Sequence, residues 1–142
     1  MKNLNKKEMG RISRKKGKRF EVLVRKNLET NGWFTVKWSN QVDLDKGLLV
    51  PAKSKFNPFL GRVMSEGTGW PDFLAYRRVK NNPEEKETIE LIGVESKLRK
   101  YLDAEEKKKA KWLLEKRIFD KILIAYKKGR GNIEYEEFTE KE

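Results

Sequence analysis

The sequence predicts an α/β fold, a mixed central β-sheet with helices packed against it, and three observations lead there. An amphipathic stretch runs straight into a short aromatic and β-branched run. Two strand-like runs are joined by a polar turn. A capped helical stretch is followed by an apolar run, so the order reads helix, strand, hairpin, helix, strand. At 142 residues the chain is one domain's worth.

The first helix is expected over Phe20 to Asn31, where Phe20, Leu23, Val24 and Leu28 recur at helical spacing and Gly32 supplies a stop. Trp33 to Trp38 (W-F-T-V-K-W) reads as a strand. Residues 40–69 show no sustained period and contain Gly47, Pro51, Pro58, Gly61, Gly67 and Gly69. A structureless stretch of that length is unusual in a compact domain. It is either a functional insertion or holds short elements, such as a strand at Leu48–Val50. Asp72 to Arg78 and Ile89 to Lys97 read as two strands of a hairpin turned by N-N-P-E-E-K. Asp103 with Glu106 three residues later forms a capping-box pattern, and Ala110, Leu113, Leu114 and Arg117 share a face beyond it, so a helix is expected to end near Arg117. Lys121 to Lys127 has the apolar run of a buried strand, and Ile133 to Tyr135 follows G-R-G as an edge strand.

Composition excludes several function classes. The chain has no Cys and no His, which rules out disulfides, thiolate chemistry, Ser-His or Cys-His catalysis and Cys/His zinc sites. Any metal here is held by oxygen, which favours Mg²⁺, Mn²⁺ or Ca²⁺. No apolar run is long enough for a membrane span or a signal-peptide core, so a soluble, cytoplasmic protein with no membrane partner is expected. The net charge of +12 points to an anionic partner, and nucleic acid is the one most often met by a basic intracellular domain. The charge is uneven: residues 1–19 form a basic arm that carries nine Lys or Arg against Glu8, and the tail over 136–142 is acidic. Two readings of the arm stand side by side, a phosphate-tracking segment and a fraying, solvated terminus.

Glu-x-Lys occurs four times, at Glu84/Lys86, Glu95/Lys97, Glu105/Lys107 and Glu106/Lys108, so the motif alone carries little. Context separates them. Three fall in a polar turn or at a solvated helix start, whereas Glu95 and Lys97 close a strand whose body is Ile89, Leu91, Ile92 and Val94. Charged groups there need partners. If the hairpin turns near residue 84, Asp72 meets the end of the second strand near residues 96 to 97, beside Glu95. Strand alternation places Glu95 and Lys97 on one face. Two converging carboxylates repel unless a cation lies between them, and a hard divalent ion suits them. Lys97 can then hold or deprotonate a water and stabilise charge on a phosphate. The plainer alternative is a cross-strand salt bridge.

Pro71-Asp72 at the start of one strand and Glu95-Ser96-Lys97 at the end of the next resemble the signature of the PD-(D/E)XK nuclease superfamily, and the element order over Lys18 to Tyr126 is similar to its αβββαβ, restriction-endonuclease-like core. The resemblance implies a Mg²⁺-dependent DNA endonuclease, with Mn²⁺ as a substitute. Asp72 and Glu95 would be metal ligands, the carbonyl of Ser96 a third, and Lys97 the residue that positions the attacking water. The G-W-P-D-F stretch and the acid on the first helix look most similar to archaeal Holliday-junction resolvases and the VRR-NUC group. Those relatives complete the metal site with a helix Glu, and Glu21 is the matching position. Glu21 shares a face with Val24 and Leu28; the alternative is a surface Glu paired with Arg25. Ser39 matches a resolvase Ser that follows the first strand. The 40–69 insertion departs from the compact resolvase pattern, which leaves junction, flap and single-strand-containing DNA all open as substrates.

A single nuclease domain over 20–135 is therefore expected, acting on DNA. Lys15, Lys16, Lys18 and Arg19 in the arm, Lys53, Lys55 and Arg62 in the insertion, and Lys108 or Lys111 on the second helix are the candidate phosphate contacts. Trp33, Trp38 and Trp112 are expected in the core, whereas Trp70 is the candidate for a wedge or base contact. A two-fold symmetric junction would require a homodimer, through a sheet edge or the helix bearing Trp112. The rival from another class is a non-catalytic, basic nucleic-acid-binding protein on the same fold.

Overall fold

The structure is a computed structural model that describes residues 5–53, 55–65 and 69–140, with side chains described throughout except at 55–57 and 62–65. Helix α1 spans Lys6–Thr30, and Asn5 caps it by accepting a hydrogen bond from the Glu8 N–H at 2.8 Å. Its buried residues, Phe20, Val24 and Leu28, lie four apart on one face. The basic segment up to Arg19 is thus largely the exposed first half of this helix and not a separate arm. Lys and Arg are good helix formers, so a cap at Asn5 and a packed second half suffice to carry the helix through residues that bury nothing. Gly32, at a φ of 90°, takes the left-handed conformation that turns the chain out of α1.

The strands that follow are β1 (Phe34–Lys37), β2 (Asn40–Asp43), β3 (Leu48–Pro51), β4 (Lys55–Asn57), β5 (Arg62–Ser65), β6 (Phe73–Val79) and β7 (Thr88–Lys97). Helix α2 (Ala104–Glu115) and strands β8 (Lys121–Lys127) and β9 (Ile133–Glu137) complete the described chain. Five strands form the central sheet in the order β1-β6-β7-β8-β9. All its pairs are antiparallel except β7 with β8, which makes the sheet mixed, as the α/β expectation requires. A parallel pair needs a long crossover, and α2 provides it.

Alternate strand residues face two separate cores. Phe73 and Ala75 of β6 and Ile92 and Val94 of β7 pack with Phe20, Val24 and Leu28 of α1. A second cluster gathers Ala110 and Leu113 of α2 with Phe119, Ile122, Trp70 and Val42. Strand alternation makes α1 and α2 the two outer layers.

The 40–69 insertion is two short hairpins, β2–β3 and β4–β5, so the expected strand at Leu48–Val50 is present and has a partner. The first hairpin belongs to the α2 layer: Val42 is buried there, and Lys109 on α2 donates to the Gln41 side chain at 3.0 Å. Gly69 closes the insertion where only glycine fits. A Cβ there would collide with the Trp38 carbonyl oxygen and with the backbone N and O of Asn40. This close approach lets the Trp70 N–H reach the Asn40 carbonyl at 2.9 Å and delivers the chain into β6 at a set position. No helix among the described residues is long and apolar enough to cross a membrane.

Candidate active site

The β6/β7 register pairs Phe73 with Val94, which places Asp72 opposite Glu95 as the two strands run out. This is one to two residues short of the 96 to 97 expected from the sequence, because the hairpin is centred slightly before residue 84. The two carboxylates brace each other. The Asp72 N–H donates to Glu95 Oε1 at 3.1 Å, while the Ser96 N–H and hydroxyl both donate to Asp72 Oδ2, at 2.8 and 2.6 Å. Asp72's own N–H therefore holds Glu95, and the residue after Glu95 holds Asp72, which fixes both in place. Ser96 enters through its donors; its carbonyl is the group that the nuclease resemblance singles out.

Among the described residues Glu95 is the one charged residue that is buried, at 5% exposure. Burial first, and the neighbouring Asp72 charge second, push its carboxyl up to about 9, against the pull of Lys97. At neutral pH the metal-free site therefore keeps Glu95 protonated. The same field that favours a proton favours any cation, and with every nearby donor an oxygen the pair suits a hard divalent ion.

Glu21 on α1 lies half-buried near this pair. Its carboxyl is raised by burial and by the Asp72 charge, and Arg25, Lys37 and Lys18 oppose the rise. Among the described residues no three acidic side chains are gathered tightly enough to cage a cation. Glu21 is near enough to feel the Asp72 charge but is not gathered with the pair in this arrangement.

Lys97 is held on the far side of Glu95. Its Nζ lies 3.7 Å from Glu95 Oε2 and 2.7 Å from Glu106 Oε2. Burial works to lower its pKa, but the Glu106 hydrogen bond and the charges of Glu95, Glu106 and Asp103 raise it overall, so the amine is an ammonium. Of the two roles expected of Lys97, holding a water suits this state and deprotonating one does not.

Glu106 is the residue that sequence reasoning missed, because it was placed at a solvated helix start. Its side chain is only 13% exposed. The expected capping box is present, with Asp103 accepting from the Glu106 N–H at 2.8 Å and Glu106 Oε1 accepting from the Asp103 N–H at 3.1 Å. That uses one carboxylate oxygen. The other, Oε2, accepts from Lys97 and from the Trp70 indole N–H at 2.9 Å. These donors hold Glu106 below the ordinary carboxylate range although burial opposes them. The signal was the capping box itself, which pins this carboxylate nine residues after Lys97 and leaves one oxygen to spare.

Trp70 is a second correction. It is 6% exposed, in the α2-side cluster, with its indole spent on Glu106, so it presents no face to a base. Trp38 packs edge-on against Phe119 and donates to the Trp70 carbonyl at 3.0 Å, and Trp33 and Trp112 are half-buried against the two clusters, as expected of core residues.

The candidate phosphate contacts scatter around this centre. Lys15, Lys16, Lys18 and Arg19 are exposed on α1, and Lys18 is near enough to act on Glu21. Ser39 is exposed one residue past Trp38, whose N–H reaches the Asp72 carbonyl at 3.3 Å. Lys53 is exposed after β3, and Lys108 on α2. Lys111 is half-exposed and engaged, at 2.7 Å from Glu140 and 3.9 Å from Glu115. The side chains of Lys55 and Arg62 lie outside the described residues. Compared with known protein families, curated proteins and solved structures, the chain matches none.

Proposed function

We propose that this protein is a divalent-metal-dependent deoxyribonuclease of the PD-(D/E)XK type, acting on branched or single-strand-containing DNA. One observation carries the reading: Asp72 and Glu95 meet at the ends of adjacent strands with Lys97 as an ammonium beside them, in a pocket where Glu95 is too poorly compensated to ionise alone. A salt bridge built for stability would leave no such deficit, because Lys97 is bonded more closely to Glu106 than to Glu95. The order α1, β1, β6, β7, α2, β8 supports it too, since it is αβββαβ once the two hairpins are set aside as an insertion. The net charge of +12 suits a phosphate-rich substrate.

Asp72 and Glu95 would hold Mg²⁺ or Mn²⁺, and by the nuclease resemblance the Ser96 carbonyl and Glu21 would complete the set. Bound there, the ion would supply charge for the scissile phosphate and acidify a water. Ser96 keeps the Asp72 carboxylate aimed by two hydrogen bonds. Glu106 holds the Lys97 ammonium extended so that it donates to a water or a phosphate oxygen and stabilises negative charge developing on phosphorus. Trp70 and the capping box lock Glu106, which makes this arm rigid before substrate arrives. In the reaction a water oxygen bonds to phosphorus, the phosphorus–oxygen bond to the departing strand breaks, and the water's proton leaves with it or to solvent.

The test is cleavage of a labelled panel, comprising a four-way junction, flap, splayed arm, single strand and linear and supercoiled duplex, in Mg²⁺, Mn²⁺ or EDTA. Cleavage is expected with either metal, and none in EDTA or with Asp72→Ala. Symmetric cuts confined to the junction would define a resolvase acting as a dimer, and cuts in flaps or single strands a VRR-NUC-like enzyme. Salt-sensitive binding with no metal-dependent cleavage of any substrate would leave the rival, a basic binding protein.

A further inference from the structure

A groove of about 670 Å³ lies between α2 and the C-terminal strand, apart from the carboxylate pair but joined to it by chain. Lys100 and Tyr101 on its rim follow Lys97 by three and four residues, a reach of about 10–14 Å at most. Lys107 and Lys108 on α2 follow Glu106 directly. The groove therefore begins where the arm that holds Lys97 ends.

Its two walls differ in charge. On one side stand Lys100, Lys107 and Lys108; on the other stand Glu136 and Glu140, the latter bonded to Lys111, while Glu137 faces the opposite side of the sheet toward Lys121. Lys109 and Lys111 on the same helix are committed to Gln41, Glu105, Glu115 and Glu140. Lys107 and Lys108 are exposed and make no ion pair among the described residues, and Lys100 lies over the Tyr126 ring, 5.8 Å from its centroid. On the rim Tyr101 stands 75% exposed, which is a large aromatic surface to leave in water.

A duplex carries phosphates on both flanks and would meet the acidic wall with like charge. An unpaired strand carries phosphates along one side and base edges along the other, and the exocyclic amino groups of those bases donate to carboxylates. An exposed tyrosine offers a face on which any base stacks. We infer that this groove binds a single-stranded nucleic-acid segment, with its phosphates along Lys100, Lys107 and Lys108, a base on Tyr101, and base amino groups toward Glu136. The inference rests on the nuclease reading for its sense, since it names the unpaired arm of the substrate as the part that the enzyme grips beside its centre.

The experiment is fluorescence anisotropy of the full chain in EDTA, with a labelled mixed-sequence 12-mer as DNA, the same sequence as RNA, and its blunt DNA duplex. At least one of the two single strands is expected to bind more tightly than the duplex, and comparison of the two sugars says which is the natural ligand. Tyr101→Ala is expected to weaken that strand about tenfold and leave the duplex unchanged. The triple variant Lys100→Ala/Lys107→Ala/Lys108→Ala is expected to flatten the slope of log affinity against log salt by about 2. Lys15→Ala/Lys16→Ala serves as the control that lowers binding of every form alike. All the altered side chains are exposed, and circular dichroism checks folding. Preference for the duplex, or equal losses on single strand and duplex in Tyr101→Ala, or no change in either groove variant, would overturn the inference. Because EDTA prevents cleavage, a failed cleavage panel removes the enzyme reading without altering this result, and a failed groove leaves the panel's outcome standing.

Discussion

Glu95→Gln is expected to stabilise the metal-free protein at neutral and alkaline pH while ending cleavage. In the unfolded chain Glu95 ionises at its ordinary value near 4.5, whereas in the fold burial and Asp72 hold it up to about 9. Below about 4.5 both states are protonated and the residue costs nothing. As pH rises from there the unfolded state loses its proton first, so stability falls with pH, and the loss is complete above about 9. Glutamine keeps an oxygen for the Asp72 N–H and removes the titration. Urea denaturation at pH 5 and pH 8.5 in EDTA should show a variant within about 1 kcal/mol of wild-type stability at the lower pH and a gain of about 5 kcal/mol at the higher. Saturating Mn²⁺ should flatten the wild-type profile and leave the variant's unchanged. Parallel profiles for the two proteins would show that Glu95 is not held protonated.

Lys97→Met is the second large effect. Removing an ammonium that is aimed at developing negative charge lowers turnover by about 10²–10³-fold. Metal-free DNA binding should stay within about twofold, because phosphate binding is spread over many of the 34 Lys and Arg side chains. Single-turnover cleavage and anisotropy on the same protein separate the two. On the rival reading Lys97 is only a structural partner of Glu106, and the substitution would alter stability and a little binding, with no cleavage to lose. Lys97→Met also strands Glu106, which keeps its Trp70 and Asp103 donors but loses its cation. Thermal unfolding therefore belongs beside the kinetics.

Strands and caps with strong local chemistry could be read directly from the chain. The capping box at Asp103 and Glu106 starts α2 as expected, and β8 occupies Lys121–Lys127 because a run of four apolar residues between lysines has few other uses. The helix ends at Glu115, two residues before the expected Arg117, whose φ of 56° already lies in the left-handed region. What could not be read depends on contacts distant in sequence. The β2–β3 and β4–β5 hairpins are short, and β2 presents only Val42 to the core, so no period of two is visible along them. The first half of α1 has a cap and good helix formers but no buried face, and an apolar pattern is what a sequence reading relies upon.

The candidate site divides in the same way. Asp72, Glu95 and Lys97 were legible because a charged pair ending an apolar strand is costly enough to stand out from three other Glu-x-Lys occurrences. Glu106 was not, since the second oxygen of a capping-box glutamate finds its partners through the tertiary fold. Trp70 was misplaced for the same reason. A tryptophan beside a site is a base-stacking candidate only while its indole N–H has no buried acceptor, and Glu106 supplies one.

The central claim is that the Asp72–Glu95 pair exchanges a proton for a divalent cation. Calorimetric titration of the protein with Mn²⁺ at pH 7, in two buffers that differ in ionisation enthalpy, measures both binding and proton release. The account predicts saturable binding that releases close to one proton in the wild type, binding without that release in Glu95→Gln if any persists, and none in Asp72→Ala. Saturable binding with no proton release in the wild type, or binding undiminished in Asp72→Ala, would contradict it.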